Sequence, residues 1–205
     1  MPDMPGSRYT QSDSQGAARG DAVYATITVE TCKIVTVIGY AAGSHHHEDG
    51  SGSNYLCLHE VPQWRTYLNN PQGFTASIYG VEYELFTSGA NRNNIFSLDN
   101  AGGQLLDKPA PCAVCYVAGR SSVLMVPART QCPDGWATEY AGYMVSELNL
   151  RRRSNYICMD EAPESAVGGT DQNQAVIYPV EVQCGSLPCS VYYRGRELTC
   201  VVCSK

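Results

Sequence analysis

Hydrophobic positions in this chain alternate along short segments and do not follow a helical period. Between Ala22 and Val29, Val23, Ala25, Ile27 and Val29 fall on one face and Tyr24, Thr26 and Thr28 on the other, which is the mark of a half-buried strand. Short β-branched or aromatic runs follow at 33–39, 55–58, 77–83, 113–117, 122–126, 156–159, 175–182, 191–193 and 198–202. Turn-forming clusters, among them Asp49-Gly50, Gly102-Gly103, Pro133-Asp134-Gly135 and Gly168-Gly169, separate these runs. Helical periodicity is nowhere sustained, so the pattern predicts an all-β fold. Residues 1–21 are polar and rich in Gly, Ser and Gln, and are expected to form a flexible tail.

The pattern also repeats. Asn54-Tyr55-Leu56-Cys57-Leu58-His59-Glu60-Val61-Pro62 aligns with Asn155-Tyr156-Ile157-Cys158-Met159-Asp160-Glu161-Ala162-Pro163, and Ile78-Tyr79-Gly80-Val81-Glu82 with Ile177-Tyr178-Pro179-Val180-Glu181. Gly39-Tyr40 matches Gly142-Tyr143, and Pro111-Cys112-Ala113-Val114-Cys115 matches Thr199-Cys200-Val201-Val202-Cys203. The chain therefore reads as a tandem duplication. A first β repeat spans 22–126 and a second 127–205, together forming one compact module with two pseudo-symmetric halves. The first copy carries a Gly/Asn/Ser-rich insertion near 86–110. The halves are expected to pack face to face, each covering the other's apolar side.

Ten cysteines change the picture from a plain β domain to a stapled one. An even, high count in an acidic chain with few lysines reads as a disulfide framework. The duplication suggests a symmetric pairing: Cys32 with Cys115, Cys57 with Cys112, Cys132 with Cys203, and Cys158 with Cys200. The extra pair, Cys184 and Cys189, would then close a small loop. Other pairings remain open. Zinc is the competing reading, because Cys112-x-x-Cys115 and Cys200-x-x-Cys203 have ligand spacing. Both segments are apolar and β-branched, unlike zinc knuckles, and disulfides are the expectation. An oxidised framework implies export. The N-terminus Met1-Pro2-Asp3-Met4-Pro5 has no charged-then-apolar leader pattern. A leader is expected to have been removed or to be missing from the gene model, the alternative being a reduced cytosolic chain.

Charge and hydropathy narrow the functions. The chain has 205 residues with 14 Lys+Arg against 20 Asp+Glu, a net charge of −6, which argues against a nucleic-acid partner. At 43% hydrophobic and 17% charged the composition is that of a folded domain. No apolar run approaches the roughly 20 residues of a membrane span. No Asn-x-Ser/Thr acceptor is present, so no N-glycan is expected.

Several of these motifs carry a resemblance. Ser53-Asn54-Tyr55-Leu56-Cys57-Leu58, Pro111-Cys112-Ala113-Val114-Cys115, Arg120-Ser121-Ser122-Val123-Leu124-Met125-Val126-Pro127-Ala128-Arg129-Thr130 and Pro179-Val180-Glu181-Val182-Gln183-Cys184-Gly185-Ser186-Leu187-Pro188-Cys189 resemble a family of secreted invertebrate proteins similar to sponge short-chain collagens. The resemblance covers nearly all of 30–205. Cys132-Pro133-Asp134-Gly135-Trp136 with Gly142-Tyr143 is more distantly similar to the duplicated, disulfide-bonded end domain of type IV collagen. The resemblance implies an extracellular-matrix role and self-association, without an activity. Two departures stand out. Gly6, Gly16 and Gly20 have no three-residue period, so the tail makes no collagen triple helix. Cys32-Lys33-Ile34 stands where the second copy has Cys-Pro-x-Gly.

Candidate sites are few. His45-His46-His47-Glu48-Asp49 combines imidazoles and carboxylates that suit zinc or copper, yet it lies in a Gly/Ser loop expected to be solvated. Arg151-Arg152-Arg153 occupies the corresponding region of the second copy and could attract sulfated glycans or an acidic partner. Trp64 offers a ring for stacking on a sugar. Glu82 and Glu84 share a strand face, a pair that could serve glycoside hydrolysis, but only Glu82 recurs in the second copy, as Glu181. No nucleophile-elbow pattern supports Ser–His–acid catalysis. Arg19-Gly20-Asp21 spells the integrin-type tripeptide in the tail. The leading expectation is a secreted, disulfide-stabilised structural or interaction domain that self-associates or binds matrix proteins, without catalysis or cofactor. The alternatives are a lectin-like module using loops 43–53 and 86–110, with glycans as partners, and a His-loop metal-binding protein.

Overall fold

The computed structural model describes residues 22–26, 29, 32–66, 68, 75–84, 86–87, 90–91, 95–169 and 171–205. The tail expected over 1–21, with Arg19-Gly20-Asp21, lies outside them. The fold is all-β, with β1 (Ala22–Thr26), β2 (Val35–Gly43), β3 (Leu56–His59), β4 (Tyr79–Tyr83), β5 (Phe86–Thr87), β6 (Ala90–Asn91), β7 (Pro111–Val117), β8 (Val123–Pro127), β9 (Ala137–Ser146), β10 (Ile157–Asp160), β11 (Ala175–Pro179) and β12 (Thr199–Ser204). A short 3-10 turn lies at Asp99–Ala101, and among the described residues no helix is long and apolar enough to cross a membrane.

Ten strands form one curled sheet in the order β1-β7-β2-β4-β11-β9-β12-β8, with β3 added on β2 and β10 on β9; β5 and β6 form a separate hairpin. The order is palindromic in connectivity, and so is the register. Gly39, Tyr40, Ala41 and Ala42 face His59, Leu58, Cys57 and Leu56, just as Gly142, Tyr143, Met144 and Val145 face Asp160, Met159, Cys158 and Ile157. Gly39 faces Cys112 and Tyr40 faces Pro111, as Gly142 faces Cys200 and Tyr143 faces Thr199. Even the irregularity recurs: Thr36 is skipped between Val35 and Val37, and Glu139 between Thr138 and Tyr140. A bulge at the same place in both halves bends both strands alike. The halves meet through a parallel pair, β4 with β11. They are thus joined edge to edge in one sheet, which differs from the separate face-to-face layers expected. Curling of that sheet lets both halves still contribute to common cores: Val81, Tyr83 and Cys112 pack with Val145, Met159 and Ile177, and Ala113 and Cys115 pack with Tyr140, Met144 and Cys200. The boundary expected at 126–127 cuts through β8, which pairs along its whole length with β12; the second half therefore starts ahead of Val123.

Each apolar C-x-x-C segment is a buried strand flanked on both sides, β7 between β1 and β2, and β12 between β8 and β9. Side chains three apart on a strand face opposite sides of the sheet. The sulfurs of Cys112 and Cys115, like those of Cys200 and Cys203, therefore cannot converge on one metal ion, and each staples its own face. The bridges are Cys32–Cys115, Cys57–Cys112, Cys132–Cys203, Cys158–Cys200 and Cys184–Cys189. None joins one half to the other, and no cysteine is free among the described residues.

The halves differ in what covers them. In the second, Met159 is fully buried and Tyr143 partly so. Their cover comes from the 95–105 segment of the first half: Phe96 meets Tyr143 edge-on at 5.3 Å, and Leu105 and Ala101 complete the cluster. The Ser97 amide donates to the Glu161 carbonyl at 2.7 Å, and Ser165 Oγ donates to the Ala101 carbonyl at 3.3 Å. The expected Gly/Asn/Ser-rich loop is, over 95–105, a packed lid. The second half has no such segment to return. Tyr40 and Leu58, the counterparts of Tyr143 and Met159, stand 49% and 40% exposed, with Ile38 40% exposed beside them.

Candidate functional site

The joint between the halves brings their two most divergent loops together. β4 and β11 lie side by side, so the loops leaving the neighbouring strands β2 and β9 emerge at the same end of the sheet. The Arg152 amide donates to the His46 carbonyl at 3.2 Å, and the Asn155 amide to the Ser53 carbonyl at 2.9 Å. Between the loops lies a cleft of about 770 Å³, lined by Ser44 and residues 48–53 from the first half and by residues 146–149, 151–154 and Tyr156 from the second. A smaller hollow of about 380 Å³ adjoins it and is lined by Glu84, residues 146–149, Tyr156, residues 178–181 and Gln183.

The histidines lie beside the cleft without lining it. His46 is buried, and both its amide and its Nδ1 lie at the Gln174 carbonyl, at 2.8 and 3.1 Å. Its ring lies 4.7 Å from that of His45 and 4.0 Å from that of His47. Arg151 Nη1 approaches His47 Nε2 at 2.8 Å. Burial, and then the neighbouring cations and imidazoles, push the His46 pKa below its usual value; desolvation followed by Arg151 does the same for His47. The nearby carboxylates are engaged elsewhere. Glu48 accepts the Tyr79 hydroxyl at 2.7 Å, and Asp49 pairs with Arg152 Nε at 2.6 Å. Among the described residues no three His, Cys, Asp or Glu side chains converge to hold a metal ion. Ligands must be fixed in common reach of one point, and these are fixed on other partners, so the metal reading of His45, His46 and His47 is not sustained.

The residue that sequence reasoning missed is Glu147, just beyond β9. Burial pushes its carboxyl up to about 7, against the pull of the Leu148 amide and of Arg151. The Leu148 amide donates to it at 2.8 Å. Next to it, Ser154 Oγ lies 2.7 Å from the Tyr55 hydroxyl and 3.3 Å from Ser146 Oγ, and accepts the Glu147 amide at 3.2 Å. This chain of hydroxyls pins the base of the cleft. Nothing in Ser146-Glu147-Leu148-Asn149 as a string signals a site.

The remaining candidates separate. Glu82 is buried and accepts the Asn173 amide at 2.9 Å, a structural use. Glu84 instead lines the smaller hollow, its carboxyl raised by burial and by Asp107, Asp171 and Glu82. The two do not form a working pair. Trp64 is 76% exposed on the β3–β4 connection and does not line either hollow. Arg151, Arg152 and Arg153 all line the cleft. No protein family matches the chain, and no solved structure matches it.

Proposed function

We propose that this chain is a secreted, disulfide-stapled structural or interaction domain of the extracellular-matrix type, that it self-associates, and that it does no catalysis. Five bridges on a small all-β frame fit an oxidising compartment. The resemblance of its sequence motifs to the sponge short-chain collagen relatives implies the same.

The observation that carries self-association is the unequal covering of two otherwise matched faces. In the second half the 95–105 segment buries Met159 and packs on Tyr143; in the first half Tyr40, Leu58 and Ile38 are exposed. Fully burying such side chains stabilises by about 1.5–3 kcal/mol each, and a contiguous apolar patch left on one face marks an interaction surface. That segment is already occupied within its own chain, so the face meets a second copy. Sedimentation velocity across dilution tests this. Reversible association is expected for the native chain and its loss for Tyr40→Ser/Leu58→Ser. A strict monomer at high concentration would refute it.

A further inference from the structure

The cleft and the hollow beside it are one groove, because both are lined by Ser146, Glu147, Leu148, Asn149 and Tyr156. None of Ile38, Tyr40 or Leu58 lines it, so it is separate from the self-association face. Its cleft alone, at about 770 Å³, is within the range of roughly 300–1,000 Å³ that small-ligand sites occupy. We propose that this groove binds an oligosaccharide carrying an anionic group, sulfate or carboxylate, with the anion at the Arg151–Arg153 end and sugar hydroxyls at the Glu84 and Glu181 end.

The charge arrangement selects this class. Arg151, Arg152 and Arg153 line one end. Arg152 gives Nε to Asp49, which leaves its other N–H donors, and Arg151 leans on the His47 ring, which offers no negative charge. The Arg153 guanidinium has no ion pair or hydrogen bond among the described residues. Of the carboxylates on this side, Glu48 accepts the Tyr79 hydroxyl and Asp49 is held by Arg152 Nε, so Arg153 is the fork of N–H donors without a carboxylate on it, and such a fork suits a sulfate or carboxylate oxygen pair. The other end carries Glu84 and Glu181, and Glu147 lies where the two hollows meet. Carboxyl oxygens accept hydrogen bonds and repel added negative charge whenever they are ionised, so this end wants a ligand rich in O–H donors. A polyanionic peptide or a polyphosphate would place charge against three carboxylates. An oligosaccharide with its anion at one end does not. The rings of Tyr156, which is 54% exposed, and Tyr178 line the same groove and offer flat apolar faces for the C–H side of a sugar.

Preorganisation supports the assignment. The two loops are cross-linked by backbone hydrogen bonds from Arg152 to His46 and from Asn155 to Ser53. The groove floor is set by the Tyr55–Ser154–Ser146 hydroxyl chain. A ligand therefore orders little of the protein on binding, which lowers the entropic cost of association.

Isothermal titration of the full chain tests the proposal with four probes: lactose bearing one terminal sulfate, lactose bearing one terminal sialic acid carboxylate, neutral lactose and a poly-glutamate peptide. One of the two anionic saccharides is expected to bind one to one, and which one binds distinguishes sulfate from carboxylate. The neutral saccharide and the peptide should bind at least tenfold more weakly. Arg153→Gln should weaken binding at least fivefold and Arg151→Gln/Arg153→Gln more than tenfold, with unchanged melting temperature. Tyr156→Ala, at the junction of the two hollows, should weaken it severalfold. Arg194→Gln, outside the groove, should leave it unchanged. Failure of both anionic saccharides to bind, peptide binding as tight as saccharide binding, or equal losses from Arg194→Gln and Arg153→Gln would each overturn the proposal. The Tyr40→Ser/Leu58→Ser variant should retain saccharide binding, so loss of assembly and loss of the groove are read separately.

Discussion

Adding one methyl group at Gly142 should cost the protein far more than adding it at the matching Gly39. Both glycines sit where a hairpin partner crosses tightly. A Cβ on Gly142 would lie inside the Met159 carbonyl oxygen and 2.7 Å from both Asp160 C and Glu161 N. A Cβ on Gly39 would lie inside the Leu58 carbonyl and 3.1 Å from Glu60 N. In each case the partner strand must retreat, and the hydrogen bond behind it lengthens: Glu161 N to the Ala141 carbonyl in one half, Glu60 N to the Ile38 carbonyl in the other, both 3.1 Å. A weakened ladder bond with a stranded donor costs about 1–3 kcal/mol. What differs is the room behind. β10 retreats into Met159's fully buried site under Phe96 and Leu105, adding about 1–3 kcal/mol of overpacking. β3 retreats into solvent, since Leu58 and His59 are exposed. Gly142→Ala should therefore lose about 2–6 kcal/mol and Gly39→Ala about 1–3 kcal/mol. Urea unfolding of the oxidised protein, followed by tyrosine and tryptophan fluorescence with the m-value checked for constancy, measures both. A loss under about 0.5 kcal/mol for Gly142→Ala, or a larger loss for Gly39→Ala, would refute the reasoning, because experimental scatter alone is of that order.

Two more outcomes follow from the same frame. Removing Cys158–Cys200, which closes a separation of 42 residues, should destabilise by about 4 kcal/mol, and removing Cys184–Cys189, with a separation of 5, by about 2 kcal/mol; differential melting of the two Cys→Ala pairs checks the order. Burial raises the Glu147 carboxyl from its ordinary 4.5 to about 7. The folded state thus holds a proton that the unfolded state has released between those two values, and stability falls as pH rises through that window. Because the group is partly open to solvent, the loss should be about 1–2 kcal/mol, well short of the full linkage value. Glu147→Gln should flatten that slope in melting curves taken from pH 4 to pH 8; an unaltered slope would place the titrating group elsewhere.

Much of the frame was legible in the chain because it is encoded locally. The two C-x-x-C segments are short, apolar and β-branched, and such runs become strands buried on both faces; they are β7 and β12. The alternation from Ala22 is β1. The aligned Asn-Tyr-x-Cys segments became β3 and β10, in matching register. β9, the longest strand, went unread because its bulge at Glu139 breaks the period of two and Gly142 interrupts the apolar face. Glu147 lies directly beyond it, so the same gap hid the site residue. Val191-Tyr192-Tyr193 has strand composition but forms turns, since Val191 and Tyr192 both donate to the Pro188 carbonyl: short-range turn chemistry overrides β-propensity there. The meeting of the loops at 44–53 and 147–155 depends on the parallel β4–β11 pair, a contact between residues about a hundred positions apart. No local pattern specifies such a contact. The lid over 95–105 has the composition of a loop, because Ile95-Phe96 and Leu105-Leu106 are short apolar pairs among Gly, Asn and Ser, and the Tyr143 and Met159 they cover lie in the other half.

Non-reducing peptide mapping by mass spectrometry, with free-thiol titration of the folded protein, tests the stapled two-half body most directly. The expected result is no titratable thiol and five bridges that each stay within one half, Cys57–Cys112 and Cys158–Cys200 chief among them. Ten free thiols in the folded chain, or a bridge linking a cysteine of 22–117 to one of 123–205, would contradict it.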